Sequence, residues 1–370
     1  MMKIPQFDLT RQYERIEPEM EAAVRHVLRS GQFILGPEGE AFEAECAAYL
    51  SVPHAIGVGS GSDAIKLALQ ALGVGPGTEV ITPAFSFVAS ATAALELGAR
   101  PVFVDVEPAT LALDPDRVAD AITPRTRVIL AVHLYGLPAA MGPLRVIAEA
   151  RGLQLIEDAA QAFGATLGGR PIGGHGHAAA FSFYPTKNLA AYGDAGLITT
   201  TDAALAGRLR RARNHGQSQK YRHDELGWTA RLDELQAAIL RVKLRHLPEW
   251  TRARRAIAAR YGAGLAGLPT VLPVERPGAT HVFHQYTIRT PRRDALAARL
   301  AAAGIGTACH YPLPIPAQPL FHELGYDAEA FPASWSAARE VLSLPCFPEL
   351  RSDEIETVIV SVRDFFEGDH

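Results

Sequence analysis

Lysine is scarce in this chain: of 370 residues only five are lysine (Lys3, Lys66, Lys187, Lys220 and Lys243), against 31 arginines. An arginine guanidinium cannot form an imine, so any Schiff-base chemistry must use one of these five side chains. Four of them sit in polar or amphipathic surroundings and read as solvated surface charges. Cysteine is equally sparse. Cys46, Cys309 and Cys346 stand far apart with no CxxC or Cys/His ligand spacing, which argues against a disulfide framework and against a metal site. No stretch approaches the roughly 18 apolar residues of a membrane span, and the N-terminal residues contain no apolar signal core. A cytoplasmic protein with no membrane partner is expected. Basic charge is not in excess either: the net charge is −4 and the pI near 6.4, so nothing in the composition favours nucleic acid as a partner.

What the sequence does have is alternation. Short apolar runs at residues 54–58, 79–82, 101–104, 128–132, 153–156, 178–183 and 196–199 are separated by helical or turn-rich segments. That pattern predicts an α/β protein with a mostly parallel seven-stranded sheet flanked by helices. Two amphipathic helices over residues 17–50, broken at Ser30-Gly31 and Gly36-Pro37, precede it. A long helical stretch from Asp233 is expected to break near Pro248 and resume to about Leu265. A Pro-rich loop, a strand at 284–289, a helix at 294–303 and a closing helix at 353–367 then predict a smaller C-terminal α/β domain. The expected division is 1–245 for the large domain, with its N-terminal helices, and 246–370 for the small one.

Three segments carry chemistry. In GVGSGSDAIKLALQAL, glycines run into a helix start, where free backbone N–H groups can hold an anion; a Ser/Asp helix cap is the competing reading. In LQLIEDAAQAFGA, a strand delivers Glu157 and Asp158 to its C-terminal end, where open α/β sheets place ligands. A carboxylate there can hold a protonated ring nitrogen of an electron-sink cofactor, or simply cap the next turn. Gln161 follows within reach of a ring hydroxyl. In AAAFSFYPTKNLAAYGDAG, Lys187 sits in a nearly uncharged segment, a setting that lowers an amine's pKa and makes it nucleophilic. Ser182 and Thr186 flank it as phosphate hydroxyls. Phe87, in PAFSFVAS, can stack on a planar ring or pack in a core.

Together with GQFILGPEGEAFE, VHLYGLPAAM, RNHGQ, RLDELQAA, HVFHQYTIR and HYPLPIPAQP, these segments resemble the DegT/DnrJ/EryC1/StrS sugar aminotransferases. The resemblance implies the fold type I (aspartate aminotransferase-like) architecture and pyridoxal 5'-phosphate (PLP) as cofactor, with pyridoxamine 5'-phosphate as its intermediate form. It implies that Lys187 carries PLP as a Schiff base and acts as general base, and that Asp158 pairs with the pyridine nitrogen. Gln161 would contact the ring hydroxyl and Phe87 the ring face, with Gly61, Ser62, Asp63, Ser182 and Thr229 also holding the cofactor. His133, Tyr135, Tyr192, Arg231, His310 and Tyr311 would meet the substrate, a nucleotide-linked keto sugar aminated at the expense of glutamate, which leaves as 2-oxoglutarate. Family members are homodimers with shared active sites, so Thr229 and Arg231 would act on the neighbouring subunit's cofactor. Three positions depart from the family pattern: Thr229 stands where Asn is usual, and Phe163 and Pro316 each replace a frequent His. The segments HLY (133–135) and HYP (310–312) favour a 3-keto sugar; a 4-keto sugar is the alternative. A dehydratase of the same family would carry His in place of Lys187, and a PLP-binding regulatory role would sit oddly with a complete catalytic set and no appended DNA-binding segment.

Overall fold

The structure, a computed structural model, describes residues 3–368. All seven apolar runs form one sheet. Its strands are β1 (His54–Val58), β2 (Glu79–Pro83), β3 (Arg100–Val104), β4 (Thr126–Val132), β5 (Gln154–Asp158), β6 (Ala178–Ser182) and β7 (Gly196–Thr200), in the spatial order β1-β7-β6-β5-β4-β2-β3. Only β7 runs against its neighbours. Adjacent side chains of a strand point to opposite faces: Val80, Leu130 and Ile156 enter one core with Ile65, Leu67 and Leu205, while Ile81, Ile129 and Leu155 enter another with Leu144 and Val118. Burial on both faces is why these strands read as unbroken apolar runs rather than as alternating ones.

Two N-terminal helices, α1 (Thr10–Ser30) and α2 (Pro37–Leu50), meet at Gly31, which closes the first helix in the left-handed region at φ 69°. Between β1 and β2 lies α3 (Gly61–Ala71), and after β2 comes α4 (Ala89–Glu96). The long C-terminal helix, α5 here (Glu234–Gly264), overturns the expected break: it runs through Pro248 without interruption for 31 residues. Proline in a helix interior costs about 3 kcal/mol, but both halves are anchored. Leu240, Leu244 and Leu247 pack into the large core, and Ile257, Ala258 and Tyr261 into the C-terminal one. Residue 245 therefore lies inside a helix that joins two cores.

The C-terminal core gathers Tyr286, Ile288, Leu296, Leu300, Leu344 and Val358 around a two-stranded ribbon (Tyr286–Arg289 with Val341–Leu344). Ile4 is buried in it, and Arg11 grips Glu354 with two hydrogen bonds of 2.8 and 2.9 Å, so the segment around Ile4 to Arg11 is fastened to the C-terminal unit.

Two of the lysines read as solvated are not. Lys66 is largely covered, paired with Glu96 at 3.1 Å and set over the Trp228 ring. Lys243 is wholly buried on the long helix; its position on the packed face outweighs the polar residues beside it in sequence. Among the described residues, no helix is long and apolar enough to cross a membrane, and no group of three or more His, Cys, Asp or Glu is arranged to hold a metal.

Candidate active site

The C-terminal ends of β1, β2, β4, β5 and β6 surround a cavity of about 510 Å³ lined by Gly61, Ser62, Phe87, Asp158, Gln161, Ser182, Thr186, Lys187, His284, His310 and Tyr311, among others. A larger hollow of about 770 Å³ lies at the other end of the parallel strands, lined in part by Arg127, Arg145 and Arg208, and includes none of these groups.

Asp158 ends β5. Ser90 donates to its Oδ2 at 2.7 Å and the Ala160 N–H to its Oδ1 at 3.2 Å. Burial raises its pKa above the usual carboxylate value, opposed by the Ser90 hydroxyl, the Ala160 N–H and the nearby Lys187 and His133. Lys187 lines the same cavity, in the loop after β6. Burial lowers its amine to about 8, against the pull of Asp158. An amine poised there is in substantial part neutral near pH 8, as a nucleophile must be.

Gly61 and Ser62 place the N-terminus of α3 against the cavity, beside Ser182. The approach is close: a Cβ on Gly61 would lie 2.6 Å from that of Ser182. Asp63, expected at the cofactor, is instead the partner of Ser60. Its N–H donates to the Ser60 hydroxyl at 3.0 Å and its carboxylate accepts from that hydroxyl at 2.9 Å, so the helix cap claims it.

Gln161 accepts from the Tyr135 N–H at 2.5 Å and donates to the Tyr311 hydroxyl at 3.2 Å, and Tyr311 lies against Phe87 with ring centroids 5.8 Å apart. His310 lines the cavity; burial and then Lys187 lower its pKa to about 4, and Ser343 lies 3.0 Å from its Nδ1. His284, which sequence reasoning did not single out, also lines it. Its Nδ1 is buried without a partner, and burial, Lys187 and Arg254 keep the ring neutral.

Three expected substrate contacts do not reach the cavity. His133 is fully buried: its Nδ1 accepts from the Ala139 N–H at 2.9 Å, so Nε2 carries the proton toward Glu157 at 3.2 Å. Glu157 faces away from Asp158, as neighbouring strand residues must. Burial opposes its ionisation, but His133 and the N–H groups of Gly173, His175 and Gly176 hold it charged. Tyr135 is buried too and donates its hydroxyl to the His310 carbonyl, so it shapes the wall instead of meeting a ligand. Tyr192 lies beneath Lys243, whose Nζ is 3.8 Å from its ring centroid.

Thr229 and Arg231 do not line the cavity of their own chain. Thr229 is exposed, with its Oγ1 3.0 Å from His215 Nε2, and Arg231 donates to Asn214 Oδ1 at 3.2 Å. Phe163 stacks on Tyr49 in the core, centroids 5.6 Å apart, and Pro316 is buried in a short turn, so neither departure from the family pattern lies at the cavity wall.

The chain is 49% identical over 366 residues to dTDP-3-amino-3,4,6-trideoxy-alpha-D-glucose transaminase of Streptomyces venezuelae, covering 99% of this chain and 97% of that one. It is 50% identical over 368 residues, 99% of each, to a protein of Geobacillus stearothermophilus named a pleiotropic regulatory protein. Among solved structures, S. venezuelae DesV in complex with a ketimine intermediate superposes with a TM-score of 0.97 at 49% identity, over 99% of both chains. The model of the DegT/DnrJ/EryC1/StrS aminotransferase family matches residues 14–363, and the chain belongs to that family.

Proposed function

We propose that this aminotransferase uses PLP to move an amino group from glutamate to C3 of a nucleotide-linked 3-keto sugar, releasing 2-oxoglutarate. The observation that carries the reading is the pairing, in one cavity, of a buried carboxylate at a strand end with an amine lowered to about 8.

The residues present fit the cofactor. Lys187 Nζ would hold its aldehyde carbon, Asp158 its ring nitrogen, Gln161 its ring hydroxyl and Phe87 its ring face, while Gly61, Ser62 and Ser182 would hold its phosphate. When bound, PLP supplies an electron sink for the carbanion at the amino-bearing carbon. The chain's own part is to place charge and protons. Asp158 keeps a proton on the ring nitrogen. The Lys187 amine would serve as the base that moves a proton from the amino-bearing carbon. His284 and His310, both neutral, add no competing positive charge beside Lys187. Glutamate and the keto sugar react in turn at the same cavity, so ping-pong kinetics follow.

The 3-keto preference is supported by the cavity position of His310 and Tyr311 and by the 3-amino product in the transaminase relative's name. Our reading extends to a cytoplasmic homodimer in which Thr229 and Arg231 serve the partner's cavity, since they stand outside their own. It also divides the chain into a cofactor-holding unit, residues 1–245, and a covering unit, 246–370, linked through the long helix.

Two measurements test this. Glutamate should bleach the visible absorption of the PLP-loaded enzyme and yield 2-oxoglutarate. The pyridoxamine-loaded enzyme should then aminate 3-keto but not 4-keto nucleotide sugars in a mass-spectrometric screen. Binding of PLP with no turnover of glutamate would instead favour the regulatory role suggested by the Geobacillus relative's name.

A further inference from the structure

Behind Asp158 the two serines of the PAFSFVAS segment form a chain of hydroxyls. Ser90 is fully buried at the start of α4 and donates to Asp158 Oδ2 at 2.7 Å, and its oxygen lies 3.3 Å from that of Ser86. A hydroxyl has one proton. Because that of Ser90 points at Asp158, Ser86 must be the donor between the two serines, which sets a directed chain from Ser86 through Ser90 to the carboxylate. Ser86 lines the cavity, whereas Ser90 does not.

We infer that Ser90 is a positioning residue for transamination: with Ser86 behind it, it holds Asp158 ionised and aimed at the cofactor's ring nitrogen. The inference rests on the PLP reading above. The need is physical. A carboxylate in this buried position favours its neutral form, and a neutral Asp158 would leave the ring nitrogen unprotonated and the electron sink weak. The groups that face Asp158 are Lys187 from the loop after β6, His133 from the end of β4, Tyr311 from the C-terminal unit and Ser90 from α4. Lys187 is the one full charge among them that ligand chemistry consumes, because an amine bound as an imine no longer offers the same cation. The Ser90 hydroxyl remains in every step. Polarisation along the chain strengthens its bond to Asp158.

The test compares wild type, Ser90→Ala and Ser86→Ala as PLP-loaded enzymes, read by the 15N chemical shift of the bound pyridine nitrogen and by the pH profile of kcat. A hydrogen bond to a charged group is worth roughly a tenfold to hundredfold effect. For Ser90→Ala we expect the nitrogen signal to move toward its unprotonated position, PLP to bind about tenfold more weakly, and the acid limb of kcat to move to higher pH. The KM for the sugar should hold. Ser86→Ala should change the same quantities in the same direction and less. Should Ser90→Ala not fold, Ser86→Ala carries the test alone, since Ser86 borders the cavity and does not touch Asp158 itself. An unchanged nitrogen signal and acid limb, or a loss of kcat uniform across pH, overturns the inference. If wild type itself never reacts with glutamate, it is the functional reading that fails instead.

Discussion

Two lysines in this protein carry depressed amines, and only one of them is placed to react. Lys187 and Lys243 both have amines lowered by burial, to about 8 and about 7. Around Lys187 the protein leaves a cavity, a carboxylate lining it and a helix start beside it. Around Lys243 it leaves no such arrangement: Nζ lies over the Tyr192 ring with no hydrogen-bond partner, and the carboxylate that acts on it is Glu349, itself buried and pushed toward its neutral form by that burial. A depressed amine is thus a sign of desolvation, and reactivity also needs space and an acid–base partner.

The largest test of this contrast is Lys187→Ala, expected to lower kcat/KM by at least about 10³-fold while Lys243→Met leaves the absorption of the bound cofactor in place. Borohydride reduction of the PLP-loaded enzyme, followed by peptide mass spectrometry, should label Lys187 alone; label on Lys243 would erase the distinction.

Stability should follow Lys243. Its folded pKa, about 7, lies below the ordinary lysine value of 10.5, so between these pH values the unfolded chain binds the extra proton and stability rises with pH. The cost of the buried amine is in full force at and below pH 7 and fades toward pH 10. Lys243→Met escapes it, and should be more stable than wild type by about 2–4 kcal/mol at pH 7, with the gap closing as pH rises; urea denaturation at several pH values would detect this. A constant gap would mean that the amine's charge is not what matters.

A smaller effect is kinetic. The apoenzyme should capture PLP about tenfold faster at pH 9 than at pH 7, in proportion to neutral Lys187, as stopped-flow absorbance would measure; a rise of about a hundredfold would mean the amine is not lowered, and a flat profile that its protonation does not govern capture. The least is Tyr192→Phe. The hydroxyl it removes is buried without a partner, so we expect a change within about 0.5 kcal/mol and no loss of activity, whereas a large activity loss would return Tyr192 to the substrate site.

Much of this was legible before the structure. The seven strands could be read because burial on both faces leaves continuous apolar runs, and Lys187 because its segment is nearly devoid of other charge. Asp158 could be placed at a strand end but not told from Glu157 by its surroundings; the family motif and then the pleat, which turns the two to opposite faces, separated them. His133 and Tyr135 were misread for the same reason. They sit at the right strand end, but side-chain direction is decided by packing, which nearness in sequence does not report. Pro248 misled because a local rule yielded to two distant cores.

Sequence alone determined the chemical inventory: five candidate amines, one of them in a charge-poor turn, and an acidic residue at the end of an apolar run. Those are facts of composition and period, which each segment carries by itself. Tertiary structure decided which groups share a cavity, that Ser90 stands behind Asp158, and that Lys243 is sealed. Each of these depends on contacts between residues far apart in the chain, and burial, the main cause of the shifts of Asp158, Lys187, His284 and His310, exists only once the cores have closed.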